Sequence, residues 1–205
     1  MARPRTDIAP RILRAARKRF REKGVAGASL RAIAKDAGTS IGMIYYYHPT
    51  KDDLFFAVVE ETYEKFLAEL ALALAKDVPL EARLLRLYER LGGAAPDELE
   101  ILRMVLQEAL LSSTRFERLI ERFLRGHLPL VLETLLEGVK DGELDGTRHP
   151  WVLLMATFAL AGPPQFIRRA IGNRLPVQGV PAGKQLAREL VEVLLGGIAK
   201  RDKSA

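Results

Sequence analysis

Apolar residues recur along nearly the whole chain at spacings of three and four, and the alternating runs that mark strands are absent. That period predicts an all-α fold. At 205 residues, with 48% hydrophobic and 28% charged side chains, the chain can bury a substantial core and has the composition of an ordinary soluble globular protein.

Punctuation residues divide the pattern into helices. The first is expected from Asp7 to Lys23, with Ile8, Ile12, Ala16 and Phe20 on its buried stripe and Gly24 as its stop. Ser29 and Ser40 are N-caps for two short helices that end before Gly38 and Pro49. Thr50, with Asp53 three residues on, caps a long helix from Lys51 to about Ala75. Pro79 and Pro96 open helices over 79–91 and 96–112. Another starts at Ser113 or Thr114, is divided by Gly126 and Pro129, and stops at Asp141-Gly142. Two long helices, 150–171 and 184–201, flank a Gly- and Pro-rich loop at 172–183, and a short polar tail follows Lys200.

Charge is distributed unevenly. Residues 1–51 carry 12 Lys and Arg against three Asp and Glu, whereas the remainder carries 20 against 23. A small basic domain that meets a polyanion, joined to a larger domain with another task, follows from that asymmetry, with the division at 1–50 and 51–205. No cysteine is present, and His48, His127 and His149 lie far apart, so no metal site and no cofactor is expected. No apolar signal-peptide segment follows Met1, which points to the cytoplasm. The 18 uncharged residues from Pro150 to Ile167 reach spanning length, but Pro163, Pro164 and Gln165 interrupt them, so a buried helix rather than a membrane span is expected.

The most informative segment is Ser29-Leu-Arg-Ala-Ile-Ala-Lys-Asp-Ala-Gly-Thr-Ser-Ile-Gly-Met-Ile-Tyr-Tyr-Tyr-His48. Ala34 is small where two helix backbones approach, Gly38 suits a turn of positive φ, and Leu30, Ile33, Ala37 and Ile44 fill the space between. This is a helix-turn-helix whose second helix turns its N-terminal residues outward, toward base edges in a major groove.

Ser29-Leu-Arg-Ala-Ile-Ala, Gly38-Thr-Ser, Ile44-Tyr-Tyr-Tyr-His and Lys51-Asp-Asp-Leu54 resemble the signature of TetR-family regulators over about residues 8–60. The resemblance implies a DNA-binding domain followed by a larger helical domain for ligand binding and dimerisation. It places Ser29 against a phosphate and Arg31 at a base or phosphate, with Ser40, Ile41, Gly42 and Met43 in the groove, where Ile41 and Met43 meet thymine methyls. Tyr45 and Tyr47 match phosphate-contacting aromatics, Tyr46 reaches the groove wall or backbone, and Lys51 matches the family's phosphate-binding lysine. The plain alternatives are capping for Ser29, solvation for Arg31 and core packing for the tyrosines. His48 and Thr39 depart from the family's usual phenylalanine and valine and read as locally hydrogen-bonded structural residues.

The resemblance further implies an effector pocket after residue 60 and a four-helix homodimer interface formed by helices 150–171 and 184–201. Val152, Leu153, Leu154, Met155, Phe158 and Leu160 on the first, and Leu186, Leu190, Val193 and Leu194 on the second, supply matching apolar stripes. Tyr88, Leu102, Val105, Leu106, Phe123 and Phe158 are candidate pocket liners, equally suited to ordinary core, and Gln107 and Gln165 are candidate orienting groups. The expected function is a ligand-responsive regulator, a repressor by family habit, that binds a palindromic double-stranded operator and is released by a small hydrophobic effector, with the helix from Lys51 as the lever. Two rivals remain. An enzyme would need machinery that is missing, since the chain has no P-loop, dinucleotide fingerprint, HExxH or catalytic cysteine. A helical protein that lays Arg11–Lys23 as a basic amphipathic helix on anionic membranes is the other.

Overall fold

The computed structural model describes residues 7–171, 174 and 179–198, and the described residues form eleven helices with no strand. These are α1 (Ile8–Gly27), α2 (Leu30–Ala37), α3 (Ile41–Tyr47), α4 (Lys51–Ala73), α5 (Leu80–Gly92), α6 (Pro96–Leu111), α7 (Ser113–Leu124), α8 (His127–Lys140), α9 (Pro150–Ala161), α10 (Pro163–Ile171) and α11 (Gly183–Ile198). Most of the loop expected at 172–183, the end expected at residue 201 and the polar tail lie outside the described residues.

By packing, the chain divides into two compact units, Met1–Phe66 with Ala95–Arg122, and Leu67–Ala94 with Phe123–Ala205. This differs from the 1–50 and 51–205 division read from charge and motif. The first part of α4 and all of α6 belong with the N-terminal helices because side chains far apart in sequence pair there, a relation that helical period does not encode. In this first unit the α1 stripe of Ile12, Ala16 and Phe20 is buried, and Phe20 meets Phe55 of α4 edge-on at 6.0 Å between ring centroids. That burial corrects the membrane-surface reading of α1, whose apolar face is already covered by protein. The expected stop at Gly24 is a kink: Gly24 takes φ 67° and ψ 171°, and helical structure resumes briefly to Gly27.

In the second unit α5 is central, in contact with α9, α10 and α11. Leu84, Leu87 and Tyr88 are fully buried on it. Arg83 is buried beside them; its Nε donates to the Leu74 carbonyl at 3.0 Å and its Nη2 to Thr134 and Glu137 at 3.2 and 3.1 Å, so the charge is paired and hydrogen-bonded. The helix expected over 150–171 is two helices broken at Gly162. Pro163 and Pro164 have no N–H to offer the carbonyls of Ala159 and Leu160, so the first helix closes on Gly162 N–H to Phe158 O and the next opens from Gly162 O. By length and composition Pro150–Ile171 is apolar enough to cross a membrane. It nevertheless buries Leu153, Leu154, Thr157, Ala161 and Gln165 within its own unit.

Gln165 explains Gly92. The buried amide donates to the Tyr88 carbonyl at 2.7 Å, and a Cβ at Gly92 would collide with its oxygen. Gly92→Ala is therefore expected to destabilise the protein by about 1–3 kcal/mol, read as a lower urea midpoint at unchanged slope.

Candidate nucleic-acid interface

Two short helices carry the candidate surface, and their ends are fastened one by one. Ser29 Oγ accepts the Ala32 N–H at 3.4 Å and Ser40 Oγ accepts the Met43 N–H at 3.3 Å. Each hydroxyl keeps its own proton to donate to a phosphate. Between the helices Gly38 takes the left-handed conformation, φ 61° and ψ 44°, and its N–H caps α2. Arg11 of α1 closes the same helix end by donating to the carbonyls of Ala37 and Gly38. Ile33, Ala34, Ala37 and Ile44 are buried and fix the two helices together, whereas Leu30, expected among them, is half-buried.

On the outside stand the expected DNA-binding residues. Ser29 and Arg31 are exposed in the first turn of α2; Ser40 and Gly42 are exposed and Ile41 and Met43 half-buried in the first turn of α3. Tyr46 is 76% exposed, Tyr45 50% and Tyr47 36%, and Tyr46 and Tyr47 meet edge-on at 5.1 Å. Core packing is therefore the weaker role for the tyrosines.

Lys51 also has contacts within the protein. Its ammonium donates to the carbonyls of Ala26 and Ala28 at 2.8 and 3.3 Å, tying the start of α4 to the residues just before Ser29. An ammonium has three donors, so one remains for a phosphate. The capping box of α4 is reciprocal: the Asp53 N–H donates to Thr50 Oγ1 at 3.0 Å, and the Thr50 N–H to Asp53 Oδ2 at 3.2 Å. The Thr50 hydroxyl, more than the nearby Arg118, holds the Asp53 carboxyl below the ordinary carboxylate range.

The basic surplus of the first 51 residues is partly internal. Arg17 pairs with Glu61 at 3.2 Å, Arg21 with Glu100 at 2.9 Å, and Arg19 forms a fork on Asp36 at 2.7 and 2.9 Å. Lys18, Lys23, Arg31 and Lys35 are exposed. Two further residues, Glu108 of α6 and Arg115 of α7, escaped the sequence reading. A glutamate in an amphipathic helix reads as solvated, yet Glu108 is 2% exposed.

The effector candidates do not meet in one place. In the second unit Tyr88 is buried, its hydroxyl donating to the Thr157 carbonyl at 3.0 Å, which with Gln165 makes one cluster. Burial raises the Tyr88 pKa. Phe123, His127 and Phe158 make a second, half-buried row with centroid distances of 4.9 and 5.5 Å. In the first unit Val105 is buried, whereas Leu102, Leu106 and Gln107 are exposed. Gln107 alone of the candidates lines a groove of about 460 Å³ there, beside Arg21, Glu100 and Arg103. Among the described residues no group of His, Asp and Glu is arranged to hold a metal ion.

Residues 12–58 match the model of the bacterial regulatory proteins of the tetR family. The chain is 26% identical over 167 residues to the probable HTH-type transcriptional regulator YttP of Bacillus subtilis, spanning 78% of this chain and 80% of that protein. The helix-turn-helix segment of this chain is therefore of the tetR type. TetR-family regulators bind DNA operators and dimerise. A second relative, the fatty acid metabolism regulator protein of B. subtilis, is 23% identical over 133 residues, 65% of this chain and 69% of that protein. Among solved structures, the transcriptional regulator FadR from B. subtilis in complex with stearoyl-CoA superposes with a TM-score of 0.71 at 21% identity, over 92% of this chain and 98% of that one. That likeness shows a shared fold that extends beyond the helix-turn-helix.

His48 departs from the local hydrogen bonding expected of it, because its buried Nε2 has no partner. Burial lowers its pKa from the ordinary 6.5 against the opposing pull of Asp53. Below about pH 6.5 the unfolded histidine takes up a proton that the folded one resists, so this contribution to stability is lost as pH falls. His48→Phe is expected to add about 1 kcal/mol of stability near neutral pH and to shrink the loss between about pH 7.5 and about pH 5, as measured by urea unfolding at each pH.

Proposed function

We propose that this protein is a TetR-family regulator, a ligand-responsive repressor acting in the cytoplasm, which binds a palindromic operator as a homodimer and is released by a small hydrophobic effector. One observation carries the reading: α2, Gly38 and α3 form a capped helix-turn-helix whose exposed first turns hold Ser29, Arg31, Ser40, Gly42 and the half-buried Ile41 and Met43. Its roles follow from chemistry. Arg31 suits a guanine edge or a phosphate, Ile41 and Met43 suit thymine methyls, and the hydroxyls of Ser29 and the three tyrosines suit phosphate oxygens. Lys51 adds one ammonium proton while bracing the start of α2.

The functional division at 1–50 and 51–205 assigns DNA to the first part and effector and partner to the second. Trp151 and Val152 of α9 and Val193 of α11 expose apolar surface on the helices expected to dimerise. A two-fold dimer would set two recognition helices about 34–36 Å apart, which calls for a palindrome. An acyl-type effector is favoured by the stearoyl-CoA in the FadR complex. Its preference for the wrong spacing by about 1–3 kcal/mol would relieve DNA binding about 5- to 150-fold.

Selection of bound duplexes from a random pool is the decisive test, and a palindrome with half-sites one helical turn apart is the expected product. Met43→Ala should then change base preference at a defined position in each half-site. Lys51→Met should weaken binding to all sequences and flatten the salt dependence by about one per half-site. The opposite pattern would overturn these assignments, and recovery of no consensus would overturn the function.

A further inference from the structure

We propose that Glu108 and Arg115 are positioning residues that hold the DNA-reading helices in register on α6 and α7, an inference that rests on the operator-binding reading above. Gly24 turns α1 out of helical geometry, and the N–H of the next residue, Val25, donates to Glu108 Oε1 at 3.0 Å. Glu108 Oε2 lies 2.9 Å from Arg115 Nη2, an ion pair rather than an aligned hydrogen bond. The other end of the same guanidinium, Nη1, donates to Asp52 Oδ1 in the first turn of α4 at 2.9 Å. Arg115 Nε has no partner, so the side chain acts through its two terminal nitrogens alone, as a bridge between α6 and α4.

The path closes on itself. Asp52 follows Lys51, and Lys51 holds the carbonyls of Ala26 and Ala28, next to Val25 where the path began. A closed ring, made of polar contacts among Val25, Glu108, Arg115, Asp52, Lys51 and Ala26 and of the chain itself, therefore ties the residues just before α2 to α4, α6 and α7. Farther along, the arginines of α7 repeat at helical spacing against α4. Arg118 pairs with Asp53 at 3.2 Å and lies 4.0 Å over the Phe56 ring, and Arg122 pairs with Glu60 at 2.8 Å and lies 4.5 Å over Tyr63. A slip of α7 along α4 would break all three arginine contacts together.

The carboxylate at Glu108 satisfies the buried Val25 N–H, which an apolar side chain would leave without a partner, and it fixes direction as well. Directional groups do what apolar ones do not: they select one register. The ring therefore sets where α2 begins, and with it where Ser29 and Arg31 stand.

The test uses the full-length protein, an operator duplex recovered by selection, and a scrambled duplex of equal length at fixed salt. Arg115→Met and Glu108→Gln are expected to lower operator affinity by about tenfold or more while changing affinity for the scrambled duplex less than about twofold. Helical circular dichroism should be unchanged at the assay temperature. Asp52→Asn is the second line, since it removes a surface acid without opening the core. Combined with Arg115→Met it should cost no more operator affinity than the worse single change. Equal losses on both duplexes, or strict additivity of Asp52→Asn and Arg115→Met, would overturn the proposal. If the unaltered protein prefers no duplex, the operator-binding reading fails first and takes this inference with it. Retained preference in the parent and in every variant sinks only the positioning role.

Discussion

Helices of eight and seven residues do not persist alone in water, where fewer than about 12–15 residues give at best a marginal helix. α2 and α3 are of those lengths, so everything that reads DNA depends on what they are fastened to. Burial of Ile33, Ala34, Ala37 and Ile44 supplies the adhesion, and directional contacts supply the geometry. Ser29 and Gly38 set the two ends of α2, Arg11 seals its C-terminal carbonyls, and Lys51 pins the residues before it. The candidate surface thus inherits its shape from α1 and α4, and through Glu108 and Arg115 from α6 and α7.

Arginine has two tasks in this unit, and they draw on the same residues. Sequence charge suggests a field pointed at a polyanion, yet Arg11, Arg17, Arg19 and Arg21 are engaged with carbonyls or carboxylates of their own unit. Exposed pairs of this kind contribute about 0–1 kcal/mol each. Their main effect is geometric: a planar fork on a carboxylate fixes direction as well as distance, as Arg19 does on Asp36. The steering field then falls to cations such as Lys18, Lys23, Arg31 and Lys35, whose exposure suits long-range attraction better than fixed contact.

What the sequence made legible was whatever is written locally. N-caps, the Gly38 turn, the Thr50–Asp53 box and the stripe of Ile12, Ala16 and Phe20 on α1 are each encoded within a few residues and stand where expected, while Ile8, expected on that stripe, is half-buried. Long-range pairing was not legible. Glu108 sits among apolar neighbours on α6 with nothing nearby in sequence to announce Val25 or Arg115 as partners, and Lys51 gives no local sign that it binds carbonyls 25 and 23 residues earlier. His48 was misread for a related reason: position suggested a local partner, but burial isolated its Nε2. The double proline after Gly162 was visible, but the apolar run around it argued for continuity, and the missing N–H groups prevailed.

α4 links these local and long-range layers. Its 23 residues contain neither glycine nor proline, so no hinge is built into the helix that carries Asp52, Asp53 and Glu60. Phe66 ends its share of the first unit and Leu67 begins its share of the second, in which Leu70 is buried. The arginine contacts of α7 convert a continuous push into a choice, because ion pairs at helical spacing are satisfied in one register and lost together in the next. In the proposed mechanism an effector need not touch the DNA-reading residues. It need only favour a position of α4 in which Asp52 and Arg115 no longer meet.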